Sequence, residues 1–203
     1  MSLATNYSKA ADSLAKFHST QNGFKTFTTT SSKIFNEFSG GQNSPIGIRN
    51  YIKYVIDKAL KNNIAPPKYL LLLGIGNFDY KKINNAFQIP TYESEASLSI
   101  LSSYTSDDFY SILTDGDDIN FPSNIKKLSL SVGRIPARNI AEADSAIQKI
   151  VNYQKGKNWG SWRNQLTWVA DDGDLNLHLQ HAEEIVGALK AKQPNWNHKK
   201  IYL

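Results

Sequence analysis

Cysteine is absent from all 203 residues of the chain. Without a thiol, these residues form no disulfide bond, no thiolate metal site and no cysteine nucleophile. The absence does not assign a redox compartment, because large secreted domains also fold without disulfides. The sequence therefore excludes cysteine catalysis by these residues themselves and leaves the location of the protein open.

Long apolar runs are missing as well. The longest, Tyr69 to Leu73, is far shorter than the roughly 20 residues of a transmembrane helix, so no membrane-spanning segment is predicted. No secretory signal pattern follows the first residues, and we interpret residues 1–3 as a vector-derived remnant. Because 40% of the residues are hydrophobic and 20% charged, the composition predicts a globule with a packed core.

The charge is mildly basic, at +5 from 23 Lys and Arg against 18 Asp and Glu. The basic pairs Lys81-Lys82, Lys126-Lys127 and Lys199-Lys200 are scattered, and no basic block is interleaved with aromatic residues. This pattern is typical of a solvated surface, and we expect no nucleic-acid partner.

Helical and strand patterns alternate along the chain, which predicts an α/β fold with three layers, a mostly parallel sheet flanked by helices. The predicted helices cover Tyr7 to Thr20, Ser31 to Phe38, Pro45 to Asn62, Ala141 to Gln154, and a segment with Leu175, Leu179, Ala182, Val186 and Leu189 on one face. The predicted strands are Phe24 to Thr30, Tyr69 to Leu73, Ile89 to Tyr92, Phe109 to Leu113, Lys127 to Val132, Gln165 to Ala170 and Lys200 to Leu203.

Two glycines, Gly74 and Gly76, follow the strand Tyr69 to Leu73, as in a dinucleotide-binding fingerprint. The third glycine is missing, and no helix begins directly behind them to present its N-terminus to a phosphate. The pattern therefore favours a strand-to-loop turn that needs a positive φ angle.

Acidic residues cluster at Asp107-Asp108 and again between Asp115 and Asp118. Neither cluster has the alternating ligands of the twelve-residue calcium loop. Asp107 and Asp108 stand as weak calcium candidates, and a solvated turn is the favoured interpretation.

Asp171 and Asp172 lie directly after the strand Gln165 to Ala170. Sites in open α/β sheets form at the carboxyl ends of strands. Three roles fit the pair: a metal or phosphoacceptor pocket, the orienting carboxylate of a catalytic histidine, or a helix N-cap, which the local sequence favours. His178 and His181 share one helix face, but two histidines alone do not define a zinc site.

Five segments follow one another in a distinctive order: PPKYLLLLGIGNFDY (66–80), IPTYESEASLS (89–99), YTSDDFYSIL (104–113), VGRIPARNIAEAD (132–144) and WRNQLTWVADDGDLNLHLQHAEEI (162–185). Together they resemble the gingipain-type cysteine peptidases of family C25, and within that family the sortase-like branch of type IX secretion. The resemblance implies a caspase-like, Rossmann-like catalytic domain of two α/β subdomains, with the catalytic His and Cys in the second.

The resemblance further implies that residues 4–203 form the first subdomain alone, cut before the catalytic half and inactive by itself. Its partners would be the C-terminal catalytic subdomain of the same polypeptide and, in the whole enzyme, a protein or peptide substrate. The implied location is extracellular or in the cell envelope, associated with the outer membrane. No cofactor is required, and structural calcium is possible.

The resemblance also places an acidic residue that orients the catalytic histidine after the last main strand of this subdomain. Asp172 is our first candidate and Asp171 the second, because a carboxylate on the far ring nitrogen fixes the tautomer and stabilises the imidazolium. The alternative is a stand-alone receiver-like or small-ligand or metal-binding module that uses Asp171 and Asp172 as an acidic pocket. That alternative needs a lysine at a neighbouring strand end.

Overall fold

Residues 2–4, 7–77, 87–96, 98–125, 127–157 and 159–203 are described by the computed structural model, with the backbone alone at residues 2–4 and 122. The strands are β1 (Ser2–Ala4), β2 (Thr28–Thr30), β3 (Tyr69–Leu73), β4 (Tyr92–Glu93), β5 (Thr105–Ser106), β6 (Ser131–Ile135), β7 (Gln165–Ala170) and β8 (Asn197–Tyr202). The helices are α1 (Ser8–Asn22), α2 (Ser31–Phe38), α3 (Pro45–Lys61), α4 (Ile140–Gln154) and α5 (Gly173–Lys192), with 3₁₀ turns at Asp107–Tyr110, Pro122–Asn124 and Ser161–Asn164.

The chain divides into two compact units, Met1–Val151 and Asn152–Leu203. The first unit contains a four-stranded sheet in the order β2-β1-β3-β6, and its neighbouring strands all run parallel. Strands β4 and β5 form a separate antiparallel pair. The assignment of residues 4–203 to one subdomain of a larger catalytic domain stays a prediction.

Strand β3 is covered on both faces, as its continuous apolar sequence predicts. Leu70 and Leu72 pack into a cluster with residues of α2 and α3, including Ile48. Leu73, whose side chain points to the opposite face, packs with Leu14 of α1 and with residues of α4. The three-layer α/β arrangement with a parallel sheet is therefore confirmed.

The start and the buried face of helix α3 follow from its local sequence. Ser44 lies at its N-cap, where the Oγ atom accepts a hydrogen bond from the Ile46 N–H at 3.2 Å, and Pro45 occupies the first turn. Proline is favoured there because the missing N–H would have no partner within the helix. Ile48 and Ile52 are fully buried on the predicted face.

The second unit consists of the parallel pair β7-β8 and helix α5, with Ala170 opposite Tyr202 in the register. Glu183 of α5 joins the helix to β8. Its carboxylate accepts hydrogen bonds from Lys200 Nζ and from the Tyr202 hydroxyl, each at 2.6 Å.

Some predicted elements are wrong. The expected strand Phe109 to Leu113 is instead the 3₁₀ turn Asp107–Tyr110 and the coil behind it, because the Ser106 Oγ caps the turn at the Asp108 N–H. The strand predicted at Lys127 to Val132 is displaced to β6, which pairs with β3 from Ser131 to Ile135.

Other predictions need smaller corrections. The predicted strand Phe24 to Thr30 is reduced to β2, and the one at Ile89 to Tyr92 is displaced to β4. Ser2 and Leu3 belong to β1, which lies between β2 and β3, and the origin of residues 1–3 stays a prediction. Within the described part of the chain, no helix is both long and apolar enough to cross a membrane.

Candidate functional site

The two candidate carboxylates lie at the carboxyl end of β7. The Leu203 N–H donates to the Ala170 carbonyl at 3.0 Å, and the Asp172 N–H donates to the Leu203 carbonyl at 3.1 Å. These two bonds extend the pairing with β8 past the end of the strand. The backbone that carries Asp171 and Asp172 is therefore anchored to the neighbouring strand.

Both carboxylates are exposed, and the predicted capping role of Asp172 is wrong. Asp172 occupies the N-cap position of α5, yet its side chain makes no capping hydrogen bond. The reason lies in the next residues, since Asp174, Leu175 and Asn176 have left-handed φ angles of 50°, 59° and 63°. A left-handed first turn does not aim its N–H groups at a capping side chain as a right-handed turn does.

The left-handed segment also displaces Leu175 from the face predicted for it. Leu175 is 95% exposed, whereas Val186 of the same helix is buried. His178 follows one turn later, with Nε2 3.3 Å from the Asp174 carboxylate. Among the described residues no three His, Cys, Asp or Glu side chains gather as metal ligands, so His178 and His181 are surface positions of α5.

Lys200 of β8 forms an ion pair with a residue of α5. Its ammonium binds the carboxylate of Glu183, and the hydrogen bonds from Lys200 and Tyr202 lower the pKa of Glu183. The same carboxylate raises the pKa of Tyr202 to about 12. A receiver-like pocket needs a strand lysine beside the acidic pair, and Lys200 is engaged by Glu183 instead.

A second polar constellation lies in the first unit, at the carboxyl ends of β3 and β6. Arg134 Nε and Nη2 donate to the two oxygens of Asp107 at 2.7 Å each. Arg134 Nη1 donates to the carbonyls of Gly74 at 3.0 Å and Ile89 at 3.1 Å. One guanidinium therefore joins β6 to the loop after β3, to the segment before β4 and to the turn after β5.

The calcium candidates can be tested against this geometry. Both oxygens of Asp107 already bind a guanidinium, which satisfies the carboxylate with a fixed positive charge. Ca²⁺ takes six to eight oxygen ligands, and among the described residues no three His, Cys, Asp or Glu side chains are placed to hold a metal ion together. Asp107 is therefore engaged by Arg134, and the assignment of Asp107 and Asp108 as calcium ligands stays a prediction.

The glycines after β3 are explained by close contact between backbone segments. Gly74 has a φ angle of +148°, and a Cβ atom there would lie 2.7 Å from the Phe87 carbonyl oxygen. Ile75 exchanges backbone hydrogen bonds with Phe87 and Ile89 at 3.1 and 2.9 Å. At Gly76 a Cβ atom would lie 2.8 Å from the Thr91 side chain. The turn interpretation is confirmed at Gly74, and the space beside these glycines holds protein.

Sequence reasoning missed Arg134. The predicted strand ends at Val132 and leaves Arg134 outside it, whereas the structure places Arg134 within a parallel strand at 12% side-chain exposure. An arginine almost never lies buried in a strand without a partner. That rule would have directed attention to Asp107, had the strand been extended as far as Ile135.

Comparison with known proteins identifies the family to which the chain belongs. The model of peptidase family C25 matches residues 3–203. The chain belongs to family C25. No curated protein sequence matches this C25 chain significantly.

Two crystal structures are similar to the C25 chain. Dimeric latent PorU from Porphyromonas gingivalis matches with a TM-score of 0.62 and 26% identity, over 80% of this chain and 16% of PorU. The Arg-specific cysteine proteinase gingipain R matches with a TM-score of 0.66 and 16% identity, over 99% of this chain and 40% of that protein. At such identity the second match shows the fold alone. The gingipain-type resemblance inferred from the motifs is confirmed.

Proposed function

We propose that the chain is the non-catalytic first subdomain of a C25 cysteine endopeptidase. The observation that carries the proposal is the family match over residues 3–203 in a sequence that contains no cysteine. The chain spans only 16% of PorU and 40% of gingipain R. In this proposal the nucleophile and the catalytic histidine belong to a C-terminal catalytic subdomain of the same polypeptide.

The proposed task of the subdomain is to support that catalytic part and to supply the carboxylate that orients its histidine. Asp172 is the first candidate and Asp171 the second. Both are exposed, and the backbone between them and β8 is held by hydrogen bonds at 3.0 and 3.1 Å. Such a carboxylate accepts the Nδ1–H of the imidazole, which fixes the tautomer and stabilises the positive charge formed during catalysis.

The substrate class in this proposal is a protein or peptide, bound with the help of the catalytic subdomain. The 26% identity with PorU supports a role in processing proteins during type IX secretion, and an extracellular or envelope location. The orienting role of Asp172 needs no metal, and structural calcium elsewhere in the polypeptide remains part of the proposal.

Peptide cleavage by two proteins tests this function. The full-length polypeptide should cleave an unstructured protein substrate, and iodoacetamide should abolish the cleavage because the nucleophile is a thiolate. The purified 203-residue chain should show none. Cleavage by the 203-residue chain, or a full-length activity that survives alkylation, would contradict the proposal.

A further inference from the structure

An aromatic cluster surrounds Arg163 in the segment that leads into β7. The guanidinium carbon lies 4.2 Å from the ring centroid of Tyr153, 4.4 Å from that of Trp159 and 5.4 Å from that of Trp162. Arg163 Nη2 also donates to the Tyr153 carbonyl at 2.8 Å. We call these four residues the Trp159 cluster. Cation–π contacts and a hydrogen bond hold its rings in one arrangement.

The rings of the cluster stay largely open to solvent. Trp159 is 77% exposed, Trp162 52% and Tyr153 51%. Two glycines let the indoles lie close against the backbone. A Cβ atom at Gly156, where φ is +68°, would lie 2.6 Å from Trp159 Nε1, and one at Gly160 would lie 2.7 Å from Trp162 Cδ1. Exposed apolar patches of this kind mark interaction sites in soluble proteins.

The segment of chain that contains the cluster is positively charged. Residues 152–170 contain Lys155, Lys157 and Arg163 and no acidic residue, and both lysines are exposed. Basic and aromatic residues are therefore interleaved here, contrary to the prediction from the sequence. The single lysines were overlooked because they are not adjacent to each other and form no basic pair.

We propose that the Trp159 cluster and its two lysines bind the headgroup region of an anionic lipid membrane. Indole and phenol rings are enriched at the membrane–water interface, where the ring body is apolar and the polar edge is hydrated. Lysine side chains beside them are attracted to the negative surface potential of anionic lipids. The patch thus combines the two contributions that hold peripheral proteins on membranes. The proposal is independent of the peptidase function.

The Trp159 cluster is less suited to binding a nucleic acid, although a nucleic acid is also negatively charged. Binding of single strands uses several aromatic platforms on which successive bases stack along a basic groove. In the Trp159 cluster the rings stack on a guanidinium of the protein itself, with Arg163 within 4.4 Å of two ring centroids. The ring faces turned toward Arg163 are therefore not available to bases, whereas the exposed edges can still enter a lipid interface.

Vesicle sedimentation with the full 203-residue chain tests the proposal. We expect binding to vesicles of 70% phosphatidylcholine and 30% phosphatidylglycerol and at least tenfold weaker binding to pure phosphatidylcholine. Binding should weaken as salt rises from 50 to 500 mM, because the attraction is screened. Equal binding to both vesicles, or none to either, would overturn the proposal.

Matched variants locate the binding surface. Replacing both Lys155 and Lys157 by Gln should weaken binding about 25-fold, since each cation near an anionic surface contributes about fivefold. The control replaces the exposed α5 residues Lys190 and Lys192 by Gln, with the same loss of charge. A control variant that loses as much binding as the test variant would overturn the proposal.

The aromatic contribution has its own pair of variants. Trp159→Ala should weaken vesicle binding about tenfold, and Trp196→Ala, at a tryptophan 41% exposed in the same unit, should leave it unchanged. Circular dichroism and thermal unfolding verify that each variant is folded. Tighter binding to a 20-nucleotide single strand or to polyglutamate than to the anionic vesicles would contradict the lipid assignment.

Discussion

Arg134 and Asp107 face each other across two hydrogen bonds of 2.7 Å, one from Nε and one from Nη2. The remaining terminal nitrogen reaches the carbonyls of Gly74 and Ile89. Side-chain exposure is 12% for Arg134 and 24% for Asp107, so the pair is shielded from water and weakly screened by salt. It anchors the loops at the carboxyl edge of the first sheet.

Replacing Arg134 by Lys should therefore destabilise the first unit. The single ammonium of lysine does not match four acceptors arranged around a planar fork, and Asp107 or a carbonyl would lose its partner. We expect the free energy of unfolding in urea to fall by about 2 kcal/mol. The exposed Arg138→Lys is the control and should change it by less than about 0.5 kcal/mol. Equal losses in the two variants would refute the anchoring role.

Gly74 should not tolerate a side chain. Gly74→Ala places a Cβ atom 2.7 Å from a carbonyl oxygen at a φ angle of +148°, and we expect a loss of about 2–4 kcal/mol in the free energy of unfolding. Gly133→Ala is the matched control, because a Cβ atom there meets no heavy atom within 4 Å. A thermal shift comparison decides the matter, and similar melting temperatures for both variants would argue against the close contact.

The left-handed start of α5 predicts opposite effects at two leucines. Leu175 has a φ angle of 59°, which costs a non-glycine residue about 1–2 kcal/mol. Leu175→Gly should therefore be neutral or stabilise by up to about 1 kcal/mol, although glycine makes the unfolded chain more flexible. Leu177→Gly, in the helical part, should destabilise by about 1 kcal/mol. Chemical denaturation measures both changes, and equal destabilisation would show that the first turn is right-handed in solution.

The hydrogen bonds to Glu183 predict a dependence of stability on acidity. They lower the pKa of this carboxyl, so the stabilisation is present above the unfolded pKa of about 4.3 and is lost as the pH falls through the folded pKa. Melting temperatures between pH 6 and pH 2 should fall less steeply for Glu183→Gln than for the wild type. Glu184→Gln, one position along and exposed, should keep the wild-type slope. A wild-type slope in Glu183→Gln would exclude this linkage.

The elements that the sequence predicted well are those defined by local chemistry. The apolar run of β3 indicated burial on both faces, and Ser44-Pro45 with the spacing of Ile48 and Ile52 defined α3. The missed features depend on residues distant in sequence or on backbone geometry. Asp107 meets Arg134 27 residues later, and nothing in the spacing of Leu175 reveals a left-handed φ angle.

At the candidate site, too, some features could be predicted from the sequence and others could not. Its position after β7 followed from the strand pattern, and the family followed from several motifs in order. The absence of a capping hydrogen bond at Asp172 could not be predicted from the sequence, because an acidic residue directly before a helix favours a cap. The Trp159 cluster was not predicted either, because its four residues come together only through ring contacts in the folded chain.

The kinetics of Asp172→Asn in the full-length polypeptide test the central claim most directly. An amide does not stabilise the imidazolium, so kcat/KM should fall about 10²–10⁴-fold, mainly through kcat. The exposed Asp174→Asn serves as the control and should retain wild-type kinetics. The pKa of the acidic limb of the pH–rate profile should also fall in Asp172→Asn, because the charged imidazole has lost its carboxylate partner. Wild-type kcat/KM and an unchanged acidic limb in Asp172→Asn would contradict the proposed orienting role.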